Sequence, residues 1–174
     1  ASLSGSLVFS ALTARSAPAA VVRLLAMGVE ACQAAEALVC ILSQRQVRTL
    51  CPECKTPYHP GREEYDQLLA LFGKKAFADR LNIAYTRDLT FFAPSGCPRC
   101  HHTGYEGQTG LFEVLIVSEA IRDLMQNAVP DRLFADRIRN QAVSEGMGTL
   151  IQDGIAKVFS GLCDPVQVRH ACSP

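Results

Sequence analysis

The sequence predicts an α/β chain with a strand and helices first, a four-cysteine module in the middle, and helices to the end. Three observations predict it. Residues 7–12 (LVFSAL) are short, apolar and partly β-branched, the pattern of a strand buried on both faces. Residues 51–54 and 97–100 repeat a Cys-x-x-Cys spacing, with 42 residues between the pairs. After a second apolar run at 110–117, helix-start signals recur at Ser118, Pro130, Thr149 and Asp164-Pro165.

The elements follow in order. Ser16 and Pro18 give an N-cap and an early proline for a helix over 19–26 that Gly28 stops. Residues 31–48 read as a longer amphipathic helix, with Leu38, Val39, Ile41 and Leu42 as its apolar stripe and Gln44, Arg45 and Arg48 as its polar exit. Between the cysteine pairs, residues 62–72 form a helix ended by Gly73, and 74–81 a second short one. A glycine-rich turn at 104–107 precedes the strand at 110–117. Ser118 then caps a helix over 119–127, Pro130 opens one to about Ala142, Thr149 caps one ending at Gly161, and Asp164-Pro165 starts a short last helix. A lone buried strand at residue 7 needs sheet neighbours on both sides, so the chain is expected to begin inside a larger α/β domain. The serines at 2, 4 and 6 then read as a strand entry.

Composition removes several classes of function. The 174 residues are 48% hydrophobic and 20% charged, too apolar for a disordered tail. Seventeen basic side chains balance seventeen acidic ones, so no global field favours nucleic acid or an anionic membrane surface. Arg23, Gln33 and Glu36 interrupt the apolar runs below the roughly 20 residues of a spanning helix, and no signal-peptide pattern opens the chain. The chain reads as soluble and intracellular.

The eight cysteines then demand a reason. Two residues between thiols let both sulfurs turn to one point while nearby backbone amides bond to them. Two such knuckles supply a tetrahedral thiolate shell, so Cys51, Cys54, Cys97 and Cys100 are assigned to a closed structural zinc site. Redox motifs of this spacing usually come singly, at a helix start, and a disulfide framework needs an oxidising compartment. His101 and His102 flank the second knuckle as donors behind the ligands or as surface residues; His59 and His170 read as surface. Cys32 and Cys40 are taken as small apolar residues on nearly one face of the 31–48 helix, and Cys163 and Cys172 receive no function. A zinc hydrolase needs an open coordination position, which four thiolates do not leave. A stand-alone zinc ribbon for nucleic acid should lean basic, whereas residues 51–100 carry seven basic against six acidic side chains. The Phe91-Phe92 pair reads either as local core of a small module or as an exposed docking patch.

Four segments resemble one family: SGSLVFSALTARSAPAAVVRLLAMGVE, LSQRQVRTLCPEC, GCPRCHHTGYEGQTGLFEVL and EGMGTLIQDGIAKVFSG. Together they make the chain similar, over essentially its whole length, to the C-terminal part of the bacterial ATPases of type II secretion and type IV pilus assembly. The resemblance implies a RecA-like P-loop ATPase domain, with residues 1–50 in its core, a zinc-binding module at 51–104, and a strand plus helical subdomain at 105–174. It implies a hexameric ring on the cytoplasmic face of the inner membrane, working through platform and anchoring membrane proteins, with ATP and magnesium bound by the parent. No GxxxxGK[ST] loop is present, so the chain alone is expected not to hydrolyse ATP. Ser6, Thr13 and Arg15 stand where the family's TGHLxxSTLHTN segment has its two histidines and final asparagine, and Gln108 where its GRTG turn has arginine. These departures fit either a diverged ATPase or a non-catalytic paralogue serving as scaffold. Arg45 and Arg48 are candidates for contact with a phosphate or a neighbouring subunit, or are solvated charges at a helix end.

Overall fold

A computed structural model describes residues 2–127 and 133–173 of the chain. After a single 3₁₀ turn at Ser2–Ser4, the order is α1 (Ala17–Ala26), α2 (Ala31–Ala37), β1 (Cys40–Leu50), β2 (Thr56–Tyr58), α3 (Arg62–Phe72), α4 (Lys74–Arg80) and β3 (Phe91–Ala93). There follow β4 (Tyr105–Ile116), α5 (Glu119–Gln126), α6 (Phe134–Ser144), α7 (Leu150–Phe159) and α8 (Pro165–Cys172). The strands form two small sheets, β1 with β4 and β2 with β3. In the second, Thr56, Pro57 and Tyr58 run antiparallel opposite Ala93, Phe92 and Phe91. The chain divides into two compact units, Ala1–Ser43 with Phe112–Thr149, and Gln44–Leu111 with Leu150–Pro174.

The first unit packs α1, α2, α5 and α6 around Val21, Ala35, Leu115, Ile121, Met125 and Ile138. Ser16 caps α1 as expected, its Oγ accepting the Ala19 N–H at 3.3 Å. A second cap comes from the sheet: the buried Glu113 accepts the Ala17 N–H at 2.8 Å, satisfying another of the four N–H groups that every helix start leaves open. Along the end of β4, Glu113, Leu115 and Val117 turn inward while Phe112, Val114 and Ile116 face out, the period-two alternation of a strand.

The second unit holds the cysteine pairs and an aromatic core. Tyr65, Phe72, Phe77, Phe91 and Phe159 meet mostly edge to face, with ring centroids 5.0–6.3 Å apart. Helices α3, α4, α7 and α8 supply most of the remaining buried residues, among them Leu68, Ile155, Val158 and Val168.

Several expectations need correction. Residues 7–12 form no strand, and Leu7, Val8 and Phe9 are exposed. A strand exists only against a neighbour that takes its N–H and C=O groups, and no described residue pairs with this run. The 31–48 helix stops at Ala37, and the chain becomes β1, where Ile41, Ser43, Arg45 and Val47 turn inward between exposed neighbours. Cys32 and Cys40 therefore lie on different elements and are both exposed, not packed as small apolar residues. Arg45 and Arg48 sit on a strand, which removes the helix-end reading. The strand after the glycine-rich turn begins at Tyr105, earlier than the glycines suggested. The helix start at Pro130 lies outside the described residues, whereas the helices at 62–72, 74–80, 119–126 and 165–172 fall where expected. Among the described residues no helix is long and apolar enough to cross a membrane.

Candidate metal centre

Cys51, Cys54, Cys97 and Cys100 come together in the second unit with their sulfurs all within 4.8 Å of one another. The first pair follows the end of β1. The Lys55 N–H returns to the Cys51 carbonyl at 3.0 Å, closing the tight turn that brings Cys54 back beside Cys51. The second pair lies in the 3₁₀ turn Pro98–Cys100, which Pro98 starts by supplying a helical φ where no N–H is needed. The two pairs meet because the Cys51 N–H donates to the Gly104 carbonyl at 2.9 Å, joining the end of β1 to the turn before β4.

The geometry fits a four-coordinate metal. Zinc–sulfur bonds of about 2.3 Å set tetrahedrally place the sulfurs about 3.8 Å apart. The observed spacings are 3.9 Å for Cys51–Cys97, 3.7 Å for Cys54–Cys100 and 3.8 Å for Cys97–Cys100. Backbone amides aim at the sulfurs as thiolates require: Gly96 N to Cys54 Sγ at 3.3 Å, Cys97 N to Cys100 Sγ at 3.2 Å and Gly104 N to Cys100 Sγ at 3.2 Å. Gly104 has φ +78°, and a Cβ there would lie 2.5 Å from Pro94 Cβ, so only glycine brings this amide so close.

Electrostatics divide the thiols. Burial raises Cys51, and it pushes Cys54 up to about 12 against the pull of the Gly96 amide. Burial would raise Cys100 as well, but the amides of Cys97 and Gly104 together with the neighbouring Cys54 and Cys97 sulfurs outweigh it and hold that thiol down at about 6. A divalent ion would supply the positive charge that lets the other sulfurs ionise together.

Around the cysteines the structure adds residues that the spacing did not reveal. Arg99 bridges the module, pairing with Glu53 in the first knuckle and with Glu106 at 2.9 Å on β4. Glu106 in turn lies 3.7 Å from Cys51 Sγ. These pairs are about half exposed and contribute little stability by themselves. His101 and His102 follow the second knuckle in the left-handed conformation, exposed and outside the convergent group. His59 and His170 are exposed as expected, with His59 Nδ1 3.0 Å from the Leu89 carbonyl oxygen. Phe91 is fully buried against Tyr58 and Phe159, and Phe92 is half-buried beneath the Lys55 ammonium, 4.3 Å from its ring centre. The pair is therefore local core, and the docking-patch reading is withdrawn.

Of the two arginines singled out on β1, Arg48 stacks 4.1 Å above the Tyr105 ring and donates its Nε to Gln167 Oε1 at 3.3 Å. Arg45 lies half-buried on the inward face of the strand, away from the cysteines in sequence register. Polar Gln44, Gln46 and Arg48 at every second position, between Arg45 and Val47 on the inward face, were the available signal that this stretch is a strand.

Comparison with known proteins gives the chain's family. The family model described as "Type II/IV secretion system protein" matches residues 1–169. The chain is 35% identical over 170 residues to the Type II secretion system ATPase E of Vibrio cholerae serotype O1, which covers 98% of this chain and 30% of that protein. It is 35% identical over 161 residues to the Type II secretion system protein E of Aeromonas hydrophila, 92% of this chain and 28% of that protein. With the Type IV pilus assembly ATPase PilB of Thermus thermophilus the identity is 34% over 162 residues, 93% of this chain and 16% of that protein. The chain thus spans less than a third of the length of each of these relatives.

Proposed function

The chain belongs to the Type II/IV secretion system protein family, and from that premise we propose that it is the zinc-binding, assembly and motor-coupling part of an ATPase that powers type II protein secretion or type IV pilus assembly. Residues 1–50 then contribute to a RecA-like ATPase core, 51–104 form the zinc module, and 105–174 the strand and helical subdomain. The parent works as a cytoplasmic hexameric ring at the inner membrane, through its platform and anchoring proteins, and binds ATP and magnesium elsewhere in its length.

The observation that carries this reading is the convergence of four thiols at tetrahedral spacing, inside a chain that the family model matches over residues 1–169. A soft, all-sulfur donor set selects zinc over magnesium or calcium, and four ligands leave no position for substrate. The metal supplies cross-linking, not a reacting group. Cys51 and Cys54 tie the end of β1 to Cys97 and Cys100 at the start of β4, while the Cys97 and Gly104 amides keep Cys100 ready to ligate. Arg48 is exposed on β1, and there a phosphate or a neighbouring subunit of the ring would bind; Arg45 is proposed for the same contact.

The test is direct. Purified chain should carry one zinc per molecule by elemental analysis, and with magnesium and ATP it should release phosphate no faster than buffer. A chain without metal overturns the zinc assignment, and measurable turnover overturns the inactive-part assignment. Ser6, Thr13 and Arg15 favour a second reading, in which the parent is a non-catalytic scaffold of the same machine. ATP hydrolysis by the full-length parent would exclude it.

A further inference from the structure

Two contacts lead from the cysteine knuckles to one short loop, and a third leads to the helix that follows it. The loop, residues 160–164, joins α7 to α8. Leu50, the residue before Cys51, donates its N–H to the Leu162 carbonyl at 2.9 Å. Lys55, the residue after Cys54, donates Nζ to the Gly161 carbonyl at 2.8 Å while its ammonium covers the Phe92 ring. Tyr105 follows Gly104, whose amide points at Cys100 Sγ, and it is clasped by Arg48, which also holds Gln167 of α8.

Asp164 completes the arrangement. It is 3% exposed, and its Oδ1 accepts the N–H groups of Val166 and Gln167, capping α8. Its Oδ2 is buried and, among the described residues, has no partner at full hydrogen-bond distance, with the Tyr105 phenol as its polar neighbour. Burial first, and this neighbouring carboxylate second, hold the Tyr105 phenol above its ordinary value. A buried carboxylate oxygen in this state is costly, and it is tolerated only while its surroundings are held in place.

We propose that the metal centre anchors a latch that docks the 160–164 loop and with it helix α8, so that loss of metal releases α8 while the aromatic core of the unit stays formed. The proposal rests on the zinc reading above. Its logic lies in what supports each part. The knuckles bury Cys51 and Cys100 but contribute no large apolar side chain of their own to the core, so the metal is their main cross-link. Tyr65, Phe72, Phe77, Phe91 and Phe159 pack on one another without any cysteine ligand. Helix α8 has eight residues, too few to persist without docking, and only Pro165 and Val168 of it are buried.

Cys163 reports on the latch from inside the loop. It is 1% exposed, and burial pushes its thiol up to about 11, so it should resist alkylation while the loop is docked. The experiment follows N-ethylmaleimide modification of Cys163 by peptide mass in the full chain at pH 7.5, together with hydrogen exchange. Zinc-loaded protein, chelated protein, and zinc-loaded Lys55→Met and Tyr105→Phe variants are compared. Chelation should speed modification of Cys163 about tenfold or more and deprotect residues 165–172, with smaller rises in both variants at full zinc content. A chain that takes up no zinc overturns the metal reading itself. Unchanged Cys163 reactivity after chelation, unchanged reactivity in both zinc-loaded variants, or exchange that rises equally across α3 and α7 overturns the latch alone.

Discussion

Cys54 and Cys100 sit at opposite ends of the thiol range within one site, and backbone geometry accounts for part of the difference. Burial opposes ionisation of both, but Cys100 receives two amides and Cys54 one, and the contact between their sulfurs raises Cys54 while it lowers Cys100, to about 6. No spacing rule shows this, whereas the four ligands themselves were legible because thiol chemistry constrains their separation along the chain. Glu113 and Asp164 were not legible as buried caps, since their burial depends on elements far away in sequence. Three residue-level outcomes follow. Cys97→Ser should lose zinc and unfold the knuckles, because binding free energy at such sites, about 10–16 kcal/mol in small peptides, is also folding free energy. Full zinc stoichiometry by elemental analysis in that variant would exclude its role. Gly104→Ala should cost about 1–3 kcal/mol in urea unfolding, since it forces a side chain into a left-handed residue and against Pro94. The buried Cys163 thiol has its folded value raised from 9.0 to about 11, so the stability it contributes is complete below pH 9 and is lost as pH rises toward 11. Unfolding curves at stepped pH should show this alkaline loss shrink in Cys163→Ala.

At the scale of elements, the start of α1 was readable because Ser16 and Pro18 act within one turn, and α3 ended at Gly73 for an equally local reason. Residues 31–48 show the opposite case. Leu38, Ile41 and Leu42 satisfy a helical spacing, but the same stretch satisfies period two from Cys40 onward, and pairing with β4 decides between them. The two patterns make different predictions for neighbouring residues. In the strand, Ile41 packs against the core of its unit, while Leu42 is 57% exposed. Ile41→Lys should therefore cost about 2 kcal/mol or more by burying a charge. Leu42→Lys should stay within about 0.5 kcal/mol of the parent. Chemical denaturation of both variants decides the matter, since a helix with both residues in its apolar stripe would be destabilised by either. The run at 7–12 was read correctly for its composition but not for its state, because a strand's backbone needs a partner that its own sequence does not name.

At the scale of the whole molecule, each unit owns a core and only one of them holds the metal site. A ligand that binds the folded state alone stabilises it by RT ln(1 + [L]/Kd), about 2.7 kcal/mol at a hundredfold excess over Kd. Free zinc should act in this way on the second unit and leave the first untouched. The chain carries its own means of telling them apart. It has four tyrosines and no tryptophan, and Tyr58, Tyr65, Tyr85 and Tyr105 all lie within Gln44–Leu111. Tyrosine fluorescence during heating therefore follows the metal-bearing unit, whereas far-ultraviolet circular dichroism also follows α1, α2, α5 and α6. Raising free zinc should move the fluorescence midpoint upward, and chelation should lower it. The dichroism should retain a component whose midpoint ignores zinc, because Val21, Leu115, Ile121, Met125 and Ile138 pack without any metal ligand. If dichroism and fluorescence shift together through one transition at every zinc concentration, the two units melt as one and the metal stabilises the entire chain.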